Sequence, residues 1–380
     1  MGANAFDVYV NVNYVANAKT MNAQEAALHY PHGDALPAPG CVLEVVPGVK
    51  WVRMGLPFEL NHINLWLLRD SLADPAGSGK PINGWCVVDC GIHSEESQTQ
   101  WEAIFATALD GLPIVRVVAT HMHPDHIGLA HWLCERWQAP FWISATDFQV
   151  ARLGCIGTTG FGGTRAADFY AAHGLSSPQD RSRIMERTNY FPTLVPSLPA
   201  QFRRLMDGTV LNLGGHSWRA ISGYGHAPEH MALYCEDLNI LISGDMVLPR
   251  ISTNVSVYDQ EPEANALALF LTSIDKFLTL PPDTLVLPSH GKPFNGLHTR
   301  IAQLHAHHAE RLAEVAAACH TKPSSAADIL GVMFKRPLDM HQTTFAMGEA
   351  IAHLHALWFE GVLRRRRDPD GVYRFTTEPL

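Results

Sequence analysis

The sequence predicts an α+β fold in which sheets pack face to face with helices outside them. Three observations carry this. Strand-like and helix-like segments alternate through residue 150 and again from about 205 to 300, in two similar halves. Runs such as Ile114-Val115-Arg116-Val117-Val118-Ala119 are apolar and β-branched, which suits buried strands. With 380 residues, 47% of them hydrophobic and 17% charged, the chain can bury a sizeable core: one large domain plus an appendage.

Residues 1–40 are mixed in character and end in the breaker run Pro37-Ala38-Pro39-Gly40, which sets off an N-terminal arm; within it Val8 to Val12 alternates like an edge strand or interface arm. From Val42 the pattern is strand-rich, over Val42 to Val46, Trp51 to Met54, Asn64 to Leu68 and Trp85 to Asp89. The buried strand ending at Ala119 leads into a helix signalled by Gly128 to Cys134. An insertion follows at about 150–204, with Gly154, Gly157, Gly160, Gly162 and Gly163, then helical stretches bearing Phe169, Tyr170, Tyr190, Phe191 and Leu194. No Lys-Ser/Thr follows these glycines, so they are not a phosphate loop; the segment reads as a hinged helical lid whose aromatics either shape an apolar pocket or anchor it to the core. A helix over Ile301 to Val315 carries His305, His307 and His308, read as an exposed face, and His353 and His355 point to different helix faces. The division expected is an arm over 1–40, a main domain over 41–320 and a C-terminal module over 321–380. That module reads as helices Ser324 to Phe334 and Thr343 to Glu360, then a hairpin from Arg364-Arg365-Arg366-Arg367 to Phe375, similar to a winged helix.

The chemistry concentrates in His121-Met122-His123-Pro124-Asp125-His126, three imidazoles and a carboxylate within six residues at a strand's C-terminal end. These are ligand types that zinc, iron and manganese share. Gly225-His226-Ala227-Pro228-Glu229-His230 supplies another His; Ile242-Ser243-Gly244-Asp245 and Leu287-Pro288-Ser289-His290-Gly291 each close an apolar strand. Strands packed side by side deliver all seven candidates to one edge.

With these motifs, over roughly residues 42 to 315, the chain resembles the metallo-β-lactamase superfamily and its H-x-H-x-D-H…H…D…H fingerprint. The resemblance implies a four-layer αββα sandwich, with His121, His123 and His226 on one metal, Asp125, His126 and His290 on a second, and Asp245 bridging them. It also matches Asp89 to a strand-end Asp beneath the site, expected to orient loop backbone or a ligand His, the alternative being a turn cap before Gly91. Asp at 245, where zinc lactamases commonly have Cys, favours the glyoxalase II, lactonase and RNA-processing branches over antibiotic hydrolysis, and His123 speaks against flavodiiron proteins. The function implied is a dinuclear metal-dependent hydrolase in which a metal-bridging hydroxide attacks a carboxylic ester, thioester or lactone, thioesterase activity included, with Asp125 as the catalytic carboxylate. Two divalent ions are expected, zinc by default, iron or manganese otherwise. Tyr224, His230, Arg250 and Asn254 are the further candidates for orienting ligands or meeting a small-molecule acyl substrate.

No G-x-S-x-G elbow and no Cys with a paired base is present. Net charge of −9 gives no overall attraction for nucleic acid or anionic membrane. An RNA or DNA phosphodiesterase is the alternative, favoured by the winged-helix-like tail and its four arginines; a mononuclear iron dioxygenase of the persulfide type ranks behind it. Seven scattered cysteines read as reduced, buried thiols of a cytoplasmic protein, no apolar run spans a bilayer, and the arm and tail offer surfaces for a homodimer.

Overall fold

The structure is a computed structural model that describes residues 23–73, 80–157 and 162–377. The Val8 to Val12 segment lies outside the described residues, as does Gly160. Seven strands, β1 (Val42–Val46), β2 (Val49–Gly55), β3 (His62–Ala73), β4 (Pro81–Val88), β5 (Ile114–Val118), β6 (Phe141–Ser144) and β7 (Arg203–Leu205), form one sheet in chain order. Its first four strands pair antiparallel and β4 to β7 parallel. The second sheet has the order β12-β11-β10-β9-β8, from β8 (Val210–Leu213), β9 (His216–Gly223), β10 (His230–Cys235), β11 (Ile240–Gly244) and β12 (Leu285–Pro288).

Alternation along each strand sorts side chains between two faces. Trp66 and Leu68 of β3 and Cys86 and Val88 of β4 meet Trp218, Ala220, Leu233 and Ile242 of the second sheet, which makes the inner core. Their neighbours Leu65, Leu67, Trp85 and Val87 face outward, against Trp101 and Ile104 of α1 (Glu95–Thr107), Ile127 of the single turn α2 (Pro124–Ile127), Leu133 of α3 (Ala130–Trp137) and Phe148 of α4 (Ala145–Gly154). Both faces of these strands are covered, so they read as continuous apolar runs.

The insertion contains α5 (Gly163–Ala172), α6 (Pro178–Met185) and α7 (Tyr190–Leu194). Beyond the sheets come α8 (Ala266–Asp275), α9 (Leu297–Thr321), α10 (Ala326–Met333), α11 (Met340–Phe359) and the hairpin β13 (Arg364–Arg367) and β14 (Tyr373–Thr376). The outer face of the second sheet packs on α8 and α9 in a cluster that also holds Tyr170 and Ile184 of the insertion and Met347, Ile351 and Leu354 of α11. Four layers are therefore present, and the C-terminal segment shares its core with them instead of standing apart.

Of the two readings of the insertion's aromatics, anchoring to the core is the one seen: Phe191 packs under α4, Tyr170 lies in the α8–α11 cluster, and the Tyr190 ring lies near Arg187 and His341. Other expectations need correction. His308 is fully buried, its Nδ1 3.2 Å from Nε2 of His353, because α9 runs far enough to be covered by α11; only His305 and His307 face outward in part. Of the seven cysteines, all free, Cys41 is exposed and Cys155 half-buried, since neither lies on a strand between layers. Three of the four tail arginines are held locally: Arg365 by Glu263 and the Trp358 ring, Arg366 by Asp368, Arg367 by the Gly371 carbonyl. No described helix is long and apolar enough to cross a membrane.

Candidate metal centre

The ligand-type side chains lie just past strand ends, in loops of both sheets. The β5 loop carries His121, His123, Asp125 and His126; the β9–β10 loop carries His226; Asp245 follows β11 and His290 lies two residues past β12. The structure brings these seven together as two groups, His121, His123, His226 and Asp245 in one and Asp125, His126 and His290 in the other, each within 4.8 Å internally. In the first, His121 Nε2, His123 Nδ1 and His226 Nε2 lie 2.9–3.2 Å from one another. Asp245 stands between the groups. Its Oδ2 is 3.2 Å from His226 Nε2 and 3.6 Å from His126 Nε2, and its Oδ1 is 3.4 Å from His290 Nε2. Asp125 Oδ2 lies 3.5 Å from His290 Nε2 and 3.7 Å from His126 Nε2.

Hydrogen bonds behind the ligands set which nitrogen faces inward. His226 Nδ1 donates to the Asn254 carbonyl at 2.8 Å and His290 Nδ1 to the His62 carbonyl at 2.7 Å. A carbonyl only accepts, so both Nδ1 atoms carry the proton and both Nε2 lone pairs point into the cluster. Asp89 does the same for His126, whose Nδ1 lies 2.8 Å from Oδ2. Asp89 itself sits at φ +62°, the left-handed region that Asp tolerates, and its other oxygen accepts from Thr120 N at 2.7 Å. It thus meets both loop backbone and a ligand His.

The electrostatics suit a cation. Burial and the neighbouring imidazoles hold His121 and His123 well below the usual histidine range, which leaves them in the neutral form that ligates. Burial opposes charge on His126 and His290 as well, but the carboxylates of Asp89, Asp125 and Asp245 outweigh it and raise both. For Asp245 burial pushes up while His290 and His126 pull down harder, so it stays ionised. Buried His126 Nε2 and Asp245 Oδ1 have no hydrogen-bond partner among the described residues. Such orphans are costly unless something else satisfies them, and a divalent ion does so by displacing the protons that the carboxylates favour on His126 and His290; the residues fit a metal.

Of the remaining candidates, His230 is buried with Nε2 3.3 Å from the Asp245 amide. Tyr224 lines a cavity of about 290 Å³ together with His123 and His226. Asn254 acts through its carbonyl on His226, and its side chain faces α11. Arg250 instead points to Glu25, Nε to Oε2 3.8 Å, and does not line the cavity. Three further residues were not anticipated. Asp147 accepts from Met122 N at 2.8 Å and Glu229 N at 2.6 Å, pinning the two His loops together, and burial pushes it up to about 6. Asn64 Nδ2 donates to the carbonyls of Pro288 and Gly291, both at 2.8 Å, and His62 Nε2 accepts from Gly291 N, so β3 holds the His290 loop. Ser144-Ala145-Thr146-Asp147 is a capping-box pattern that locates Asp147 at a helix start, but its loop partners are tertiary.

A profile described as the metallo-beta-lactamase superfamily matches residues 82–290, more than half of the chain. The chain belongs to the metallo-beta-lactamase superfamily. A second profile, the metallo-beta-lactamase-like C-terminal domain, matches residues 312–378. A beta-lactamase domain protein from Burkholderia ambifaria, solved by crystallography, is 52% identical with a TM-score of 0.87, covering 93% of this chain and 99% of its own. The metallo-beta-lactamase family protein TTHA1429 from Thermus thermophilus is 26% identical, TM-score 0.71, over 88% and 100%. Among curated proteins, the probable metallo-hydrolase YqgX of Bacillus subtilis is 26% identical over 64% of this chain and 90% of its own. YqjP, a probable metallo-hydrolase of the same organism, is 21% identical over 85% and 96%. The αββα sandwich with an added C-terminal segment is thus the superfamily's fold.

Proposed function

We propose that this protein is a metal-dependent hydrolase that cleaves a carboxylic ester, thioester or lactone with two divalent ions, zinc by default, held by His121, His123 and His226 on one side, Asp125, His126 and His290 on the other, and Asp245 between. The observation that carries the reading is the convergence of both ligand groups on Asp245, with His123 and His226 of the first group also lining a largely apolar cavity. The names of its relatives, probable metallo-hydrolases, support hydrolysis.

When bound, divalent ions lower the pKa of a coordinated water and polarise a carbonyl oxygen. The chain supplies the rest. Asp125, in the second ligand group with its side chain 18% exposed, orients the water and moves its proton. Val150, Pro228, Val257 and Leu269 line the cavity with apolar surface suited to an acyl chain, and Tyr224, a lining residue too, is the candidate donor to the carbonyl oxygen.

Turnover on metal-reconstituted protein, offered ester, thioester, lactone and labelled single-stranded RNA, tests this against Asp125→Asn. Acyl cleavage that falls by about 10²- to 10⁴-fold in the variant supports it. RNA cleavage without acyl cleavage overturns it and restores the phosphodiesterase reading. Local pairing of Arg365, Arg366 and Arg367 within the protein supports the acyl reading, because it leaves the tail little basic surface to offer a phosphate backbone.

A further inference from the structure

Helix α11 touches the loop that carries Asn254 at several points. Glu349 Oε2 accepts from Asn254 Nδ2 at 3.2 Å. The Gly348 carbonyl accepts from Val257 N at 3.1 Å. Gly348 also packs so closely that a Cβ on it would lie 2.7 Å from Ser256 Cβ and Oγ. Ser256 Oγ in turn donates to Asn254 Oδ1 at 2.7 Å, so the Asn254 side chain is held from two directions. Its backbone carbonyl is the group that fixes the His226 tautomer. The same loop, through Ser256, Val257 and Tyr258, forms a wall of the cavity.

We propose that α11 is part of the active site and that Glu349 is a positioning residue, which fixes His226 through Asn254 and holds the cavity wall in place. This rests on His226 being a metal ligand, as in the reading above. The physical argument is one of freedom. A loop carbonyl can orient an imidazole only if the loop has one conformation, and a short stretch between β11 and α8 lacks secondary structure of its own over 252–258. The Glu349 carboxylate and the Gly348 contact supply that constraint from a rigid helix. The C-terminal segment then has a function in this chain distinct from partner binding: without it the first metal group lacks its support.

Zinc affinity of the full chain, by chelator competition without substrate, is the deciding measurement. Glu349→Ala is expected to weaken one of two binding steps by about tenfold, the low end for partners behind a ligand. Glu349→Gln, which keeps an oxygen to accept from Asn254, restores most of that affinity. His226→Ala identifies the step, and Asn254→Ala breaks the contact from the loop side; the double variant with Glu349→Ala loses no more than either alone, since they act on one contact. A Glu349→Ala protein with lowered thermal stability and native zinc affinity makes α11 mere packing and overturns the proposal, as does a His226→Ala protein that binds both ions like the native chain. A Glu349 effect on zinc in a protein that cleaves no acyl substrate sustains the brace and sinks only the substrate assignment.

Discussion

Asp89 shows how much one carboxylate behind a metal site decides. Its two oxygens accept from Thr120 and from His126 Nδ1, and only an acceptor at that second position keeps the proton on Nδ1 and the Nε2 lone pair in the cluster. Asp89→Asn places an amide where Oδ2 was; if that amide faces the ring, donor meets donor and His126 must move its proton to Nε2. Zinc affinity by chelator competition is expected to fall by about 10- to 100-fold, with the fold retained by circular dichroism. Native affinity would show that Asp89 only caps the turn. At this scale the seven candidate ligands were legible because four of them crowd into one six-residue motif, three lie just past strand ends, and ligand chemistry restricts residue type. Asp89 was legible from its place at a strand end. Asp147, Asn64 and His62 were not: each touches loops far away in sequence, and nothing in a lone Asp, Asn or His marks such a partner.

Strand ends position the centre, and the β11 terminus is the most demanding. Gly244 adopts φ +54°, and a Cβ there would lie 2.1 Å from His230 Nε2. Gly244→Ala therefore adds about 1–2 kcal/mol of backbone strain and displaces His230 from beneath the Asp245 amide. Lower denaturation midpoints together with loss of bound zinc are expected. A variant with unchanged midpoint and metal content would mean that the turn relaxes freely. Among elements, strands and the two tail helices were readable, since apolar runs and helical spacing are local signals. The insertion's role was not. Phe169, Tyr170, Tyr190 and Phe191 announce burial, but whether they bury against substrate or against α4 and α11 depends on where the segment folds back. The same holds for His308, whose face of α9 is covered only because α11 lies across it.

For the molecule as a whole, acid is the condition to examine, because the seam joining insertion, α9 and α11 is lined with histidines held neutral. His173 and His308 are lowered to about 3 and His353 and His355 to about 4, in each case first by burial and then by a neighbouring charge or imidazole. The groups facing them are few: His307 and Arg311 near the His308–His353 pair, and Arg365, Glu263 and Tyr373 around His355 and His173. An unfolded chain binds protons at these positions near pH 6.5, whereas the folded chain does not until about 3 to 4. Folding is therefore fully supported above about pH 6.5 and loses up to about 1.4 kcal/mol per pH unit per histidine as the pH falls toward 4. Net charge cannot produce that trend. The chain carries −9 near neutrality, and protonating some of its 21 histidines brings it toward zero, which relieves repulsion. Urea denaturation at pH 7.5 and 5.0 on metal-free protein, which removes the separate effect of metal release, should show a marked drop in midpoint at pH 5.0. Replacing the facing pair, His308→Leu with His353→Leu, should flatten the dependence whatever it does to stability at pH 7.5. An equally steep dependence in that double variant would move the acid sensitivity away from the His308–His353 pair.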